Sequence, residues 1–129
     1  MLSCYFSTIY IGILITTNIA DDLLVCPREE VVCTCVSQSV SQRWRVKNEG
    51  GVTWESVFIR GQPAGTVEMR DPYRFTLISS NINHFESTVS VIATSSINNT
   101  VLECAAGSLR DTVTIQILTG HYCKCMCIE

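Results

Sequence analysis

"CTCVSQSVSQRW", Cys33 to Trp44, is the stretch on which the reading of this chain turns. Two cysteines stand one residue apart, and a tryptophan follows the second by nine residues. Side chains alternate along a β-strand with period two, so in extended backbone Cys33 and Cys35 face the same way. Two same-face cysteines on one strand do not easily bond each other, and each needs a partner from elsewhere in the chain. Cys104, inside "TVLECAA", is the one cysteine in the middle of the second half.

Outward from this stretch, short alternating runs are separated by turn residues. "EVVCTCVS" puts Val31, Cys33 and Cys35 on one face, and "RWRV" has Trp44 and Val46 in step. "NEGG" (Asn48 to Gly51) and "GQPAG" are turn signals on either side of "VTWESVFIR". "YRFTLIS" aligns Phe75 with Leu77, and "STVSVIAT" aligns Val89, Val91 and Ala93. "TVLECAA" aligns Leu102, Cys104 and Ala106, and "DTVTIQIL" aligns Val113, Ile115 and Ile117. Short alternating segments at regular spacing predict an all-β antiparallel sandwich or barrel. No stretch carries sustained helical periodicity.

The chain has 129 residues, which suggests one domain. Its 47% hydrophobic content is enough for a packed core. Net charge is −3 with scattered Lys and Arg, which gives no clustered basic patch for nucleic acid. The first twenty residues carry no charge and are followed by Asp21 and Asp22. They read as a secretory signal peptide, residues 1–20, cut after Ala20. The alternative is an uncleaved anchor, but the apolar core from Tyr5 to Ile15 falls short of the roughly 20 residues that span a bilayer. No later run is long enough to span, so no membrane span is expected after cleavage. Export makes disulfides the default for the eight cysteines. Removing Cys4 with the signal leaves seven, an odd number that implies a free thiol or an intermolecular bond.

From Val25 to Leu118 the chain resembles an immunoglobulin-like domain, closest to the variable (V-set) type. The order strand cysteine, tryptophan, distant strand cysteine is that family's signature. "CPREEVVCTC" resembles the entry to strand B, "RWRV" strand C and "VTWESVFIR" strand C′. "YRFTLIS" resembles strand D, "STVSVIAT" strand E and "NNTVLEC" the approach to strand F. The resemblance implies a Greek-key sandwich over residues 21–119. It also implies a bridge from strand B to Cys104 with Trp44 packed beside it. Cys35 is favoured as the strand B partner because Val31, Cys33 and Cys35 then read as core, core, bridge; Cys33 is the alternative. Three family features are replaced. Leu102 stands where a tyrosine is usual, and Asn98, facing Arg74, stands where an aspartate is usual. Strand G has no Gly-x-Gly, so antibody-like pairing of domains is not implied.

Cys26 precedes strand B at the end where strand G finishes, which makes Cys26–Cys123 the expected second bridge. Residues 120–129 form a cysteine-rich tail. His121, Cys123, Cys125 and Cys127 alternate there, but a straight strand spaces them too widely for one tetrahedral zinc. Structural or intermolecular disulfides are expected instead, and no metal or cofactor is. Asn98-Asn99-Thr100 is a glycosylation sequon at Asn98, in the turn between strands E and F. Neither His84 nor His121 has an acid and a nucleophile in a recognisable order, so an enzyme is not expected.

The resemblance implies a secreted, extracellular recognition module for a protein or glycan ligand. The candidate contact loops are "SQSVSQ", "KNEGGVT", "GQPAGTVEMRDP" and "AAGSLRD". Trp54, Phe58 and Met69 are candidates for apolar contact, with core packing expected for at least two of them. The alternative is a structural or assembly protein of the extracellular space, its copies linked into disulfide-bonded oligomers through the tail.

Overall fold

The computed structural model describes residues 2–7, 13–17, 21–81 and 83–118, with side chains from Leu23 onward. Two sheets face each other. One holds β1 (Leu2–Ser7), β2 (Ile13–Thr17), β4 (Glu30–Ser37), β7 (Val67–Arg70), β8 (Tyr73–Asn81) and β9 (His84–Ile92), in the order β2-β1-β4-β9-β8-β7. The other holds β3 (Asp21–Val25), β5 (Ser41–Asn48), β6 (Gly51–Ile59), β10 (Thr100–Ala106) and β11 (Leu109–Ile117), in the order β3-β11-β10-β5-β6. All pairings are antiparallel except β3 with β11, which is parallel. The result is an all-β, immunoglobulin-like sandwich.

Period-two alternation builds the core. Val31, Cys33 and Cys35 from β4 meet Trp44 and Val46 from β5, with Phe75, Leu77, Val89, Leu102, Val113 and Ile115 closing the space, all of them buried. Cys35 and Cys104 are joined across the two sheets, with Cα atoms 6.4 Å apart. Trp44 lies directly opposite Cys104 in the β5–β10 register, and its ring stands 6.4 Å from that of Phe75. Cys33 does not fill the core as a free thiol. It is itself disulfide-bonded, and so is Cys26. Cys123, the expected partner of Cys26, lies outside the described residues, as does the rest of the tail.

Three details differ from the sequence reading. "SQSVSQ" is not all loop: Gln42 belongs to β5 and its side chain is fully buried. "GQPAGTVEMRDP" contains strand β7, which pairs with β8. Of Trp54, Phe58 and Met69, only Phe58 is in the core; the others remain 37% and 54% exposed. Only Phe58 and Ser56 of β6 point fully inward, because β6 is the last strand of its sheet.

A buried polar network ties the sheets together beside the disulfide. The Trp44 indole Nε1–H donates to Ser87 Oγ at 2.8 Å. Ser87 in turn donates to the Gln42 carboxamide oxygen. Gln42 Nε2 donates to Phe85 O at 2.9 Å and to Ser37 Oγ at 2.8 Å. Each polar group in this dry space has a partner, which removes the cost of burying it.

Candidate functional site

Strand direction places the B–C connection (Ser37–Ser41), the end of β6 and the β10–β11 turn at one end of the sandwich. Ala106 pairs with Leu109 across the two-residue turn Gly107-Ser108. Gly107 has φ +62°, the backbone that the first central residue of a type II′ hairpin turn requires. The turn is therefore short and fixed, and it holds Leu109 out into solvent.

A cleft of about 570 Å³ opens at this end. One wall runs from Cys35 to Ser39; the other is Cys104 and Ala106–Asp111. The inter-sheet disulfide forms part of its lining, so the bond that fixes the core also fixes the distance between the walls. Its rim carries hydroxyls from Ser37, Ser39 and Ser108. Two large apolar side chains stand out beside it, Leu109 at 73% and Val40 at 60% exposure. The B–C wall is braced from within: Ser37 Oγ and Ser39 Oγ share a hydrogen bond of 2.9 Å, and Ser39 donates to Ser41 O at 2.7 Å. With Gln42 bonded to Ser37, the core network extends into the wall. Two of the four expected loop segments, "SQSVSQ" and "AAGSLRD", thus meet in one place. "KNEGGVT" lies at the far end.

The outer face of the β10–β5–β6 sheet carries a charged cluster. Glu103 is only 3% exposed and sits 3.3 Å from Lys47 Nζ and 3.8 Å from Arg45 Nη1. Its Oε1 has no hydrogen-bond partner. The Glu55 carboxyl accepts from Arg45 Nε at 2.8 Å, and that bond holds its pKa below the usual value. Burial pushes the Tyr73 hydroxyl up, against an opposing hydrogen bond with Thr100.

Asn98 is exposed just after the 3₁₀ turn Ser95–Ile97. Its carboxamide oxygen accepts from Ile117 N at 2.8 Å, so it ties that turn to β11 rather than facing Arg74. Thr100, the hydroxyl residue of the sequon, is buried. Sequence reasoning passed over Val40 and Leu109. Their signal was an apolar residue inside a segment otherwise made of Ser, Gln, Gly and charged residues.

No protein-family model matches this chain, and no curated protein does. Among solved structures, one from photo-crosslinking analyses of multimeric cell-adhesive interactions of VGSC beta subunits is similar, with a TM-score of 0.57. It shares 12% identity, and the match covers 81% of this chain and 96% of that one. At that identity the likeness speaks for the fold alone, and the chain has the fold of an immunoglobulin-like sandwich.

Proposed function

We propose that this chain is a secreted, variable-type immunoglobulin-like recognition module, and that it binds an extracellular protein or glycan through the end formed by the B–C and β10–β11 connections. The observation that carries this reading is the cleft between Cys35–Ser39 and Cys104–Asp111, flanked by exposed Val40 and Leu109 on a braced scaffold. Apolar side chains held out by rigid turns are what a binding surface uses, because little entropy is lost on contact.

The variable-type assignment draws on β6 beside β5 and on β3 beside β11. Secretion draws on the uncharged leader and on the bridged cysteines. Asn98, exposed at a turn, is the glycosylation site in this reading, modified before Thr100 is buried.

The test is binding of the full chain, secreted from a eukaryotic host and fluorescently labelled, to cell surfaces and extracellular matrix. Leu109→Asp should lower binding by roughly tenfold or more, the effect of losing one central contact. Leu24→Asp, at an exposed apolar site on β3, should leave it unchanged. Equal binding by Leu109→Asp and the parent chain would refute the placement of the site.

A further inference from the structure

We infer that a second site, at the opposite end of the sandwich from the cleft, holds one neutral pyranose ring of a glycan stacked on Trp54. It stands apart from the cleft, and either site can fail without the other.

The first ground is where β6 aims its side chains. Trp54 lies opposite Val46, but the next residue of β5, Lys47, pairs with Val52. Thr53 is therefore an extra residue on β6, a β-bulge. Successive side chains of a regular strand face opposite sides, whereas a bulge re-aims them. Here Thr53 and Trp54 line one pocket of about 150 Å³. Because β6 is the last strand of its sheet, the Trp54 side chain also reaches solvent, while Trp44 is fully buried. "KNEGGVT", which supplies Asn48 and Thr53, and "GQPAGTVEMRDP", which supplies Pro72, meet at this pocket.

The second ground is the chemistry of the lining. Asn48, Ser96, Tyr73 and Thr100 join Thr53 and Trp54, and the remaining lining residues are apolar. Tyr73 and Thr100 are buried and their side chains are hydrogen-bonded to each other, which places hydroxyl groups at the floor. The Asn48 carboxamide oxygen accepts from Gly50 N at 2.9 Å, which fixes the side chain and leaves its NH₂ group to donate to a ligand. Ser96 Oγ is held at 2.8 Å from Thr94 Oγ1.

The third ground is what such a lining selects. None of these residues is charged at neutral pH, so an ionised ligand would meet no counter-charge in the pocket. An apolar side chain would cover several hydroxyls and an amide without offering any of them a partner, and each such group is costly to strand. A neutral pyranose satisfies both conditions. The C–H groups on one face of its ring lie against the electron-rich face of the indole. Its hydroxyls donate to and accept from the serine, threonine and asparagine groups around it. The volume is that of roughly five waters and is smaller than the pockets of drug-sized ligands. It suits one ring, with the rest of a glycan outside.

The experiment is fluorine NMR of the full oxidised chain carrying fluorotryptophan, titrated with methyl β-galactoside and methyl β-glucoside. Trp54→Phe assigns the two tryptophan signals. The expected result is a saturable shift of the Trp54 signal with the Trp44 signal unmoved, at an affinity on the order of millimolar for a single ring. Trp54→Ala, read by saturation transfer from the protein to the sugar, should weaken binding roughly tenfold or more. Ser96→Leu keeps Trp54 and narrows the pocket from an exposed position, and it should weaken the shift as well. Leu109→Asp, in the distant cleft, should leave the sugar response unchanged. No shift with either sugar would overturn the inference, as would sugar binding indifferent to both Trp54→Ala and Ser96→Leu. A shift produced by N-acetyl-leucinamide and by neither sugar would overturn it in favour of an apolar peptide side chain.

Discussion

Ser87→Ala removes one oxygen and strands two buried groups. Ser87 Oγ accepts the Trp44 indole N–H at 2.8 Å and donates to the Gln42 carboxamide oxygen. Trp44, Gln42 and Ser87 are each fully buried, so water cannot take over either bond without opening the sandwich. A buried polar group left without a partner costs about 1–3 kcal/mol, and two of them bring the expected loss to about 2–6 kcal/mol. For a domain of this size that is a fall in Tm of roughly 10–25 °C. Urea denaturation of the oxidised chain, followed by tryptophan fluorescence, would measure it. Trp44→Phe supplies the control: once the indole N–H is gone, Ser87→Ala should cost about 1–2 kcal/mol less than in the parent chain. A loss under about 0.5 kcal/mol, or no coupling between the two sites, would refute the network as a stabilising element.

Other consequences are open to measurement. Replacing both Cys35 and Cys104 by Ala opens a bridge with a sequence separation of 69, which should cost about 4 kcal/mol by chain entropy, read from the shift in urea midpoint. Lys47→Met takes away the nearer cation from buried Glu103 and should cost about 1–2 kcal/mol. That cost should vanish in a Glu103→Gln background. Tyr73 has a folded pKa raised by burial, so the stability it supports is fully present below the unfolded tyrosine value and is lost as pH rises through the folded one. Tyr73→Phe should therefore lose about 1 kcal/mol at neutral pH, with its hydrogen bond to Thr100 gone, and narrow the gap in alkaline melts. Glu55 has a folded pKa lowered by its Arg45 bond, so its contribution is present above the unfolded carboxylate value and fades as pH falls; Glu55→Gln should flatten the acid limb of the melting curve slightly.

Much of the sandwich could be read from alternation. "EVVCTCVS" and "TVLECAA" coincide with β4 and β10 because each has a buried face of apolar residues at period two. Gln42 could not be read in this way. A polar residue at an inward position looks like loop in a pattern of hydrophobicity, and only its partners on other strands (Ser87, Phe85 and Cys35) make burial affordable. β7 escaped because four half-exposed residues at a sheet edge carry no clear period. The parallel pairing of β3 with β11 is a contact between distant segments, and no local signal encodes it. The candidate site was half visible: the loops were named from the family resemblance, but the cleft depends on where the disulfide holds the two walls.

The most direct measurement is non-reducing peptide mapping of the oxidised chain, with tandem fragmentation between Cys33 and Cys35. The predicted result is Cys104 joined to Cys35, with Cys33 in a separate bond. That pairing places the bridge in the cleft wall and brings the two loops together. A bond between Cys104 and Cys33 would shift the contact by two residues along β4, and would contradict both the cleft and the function proposed for it.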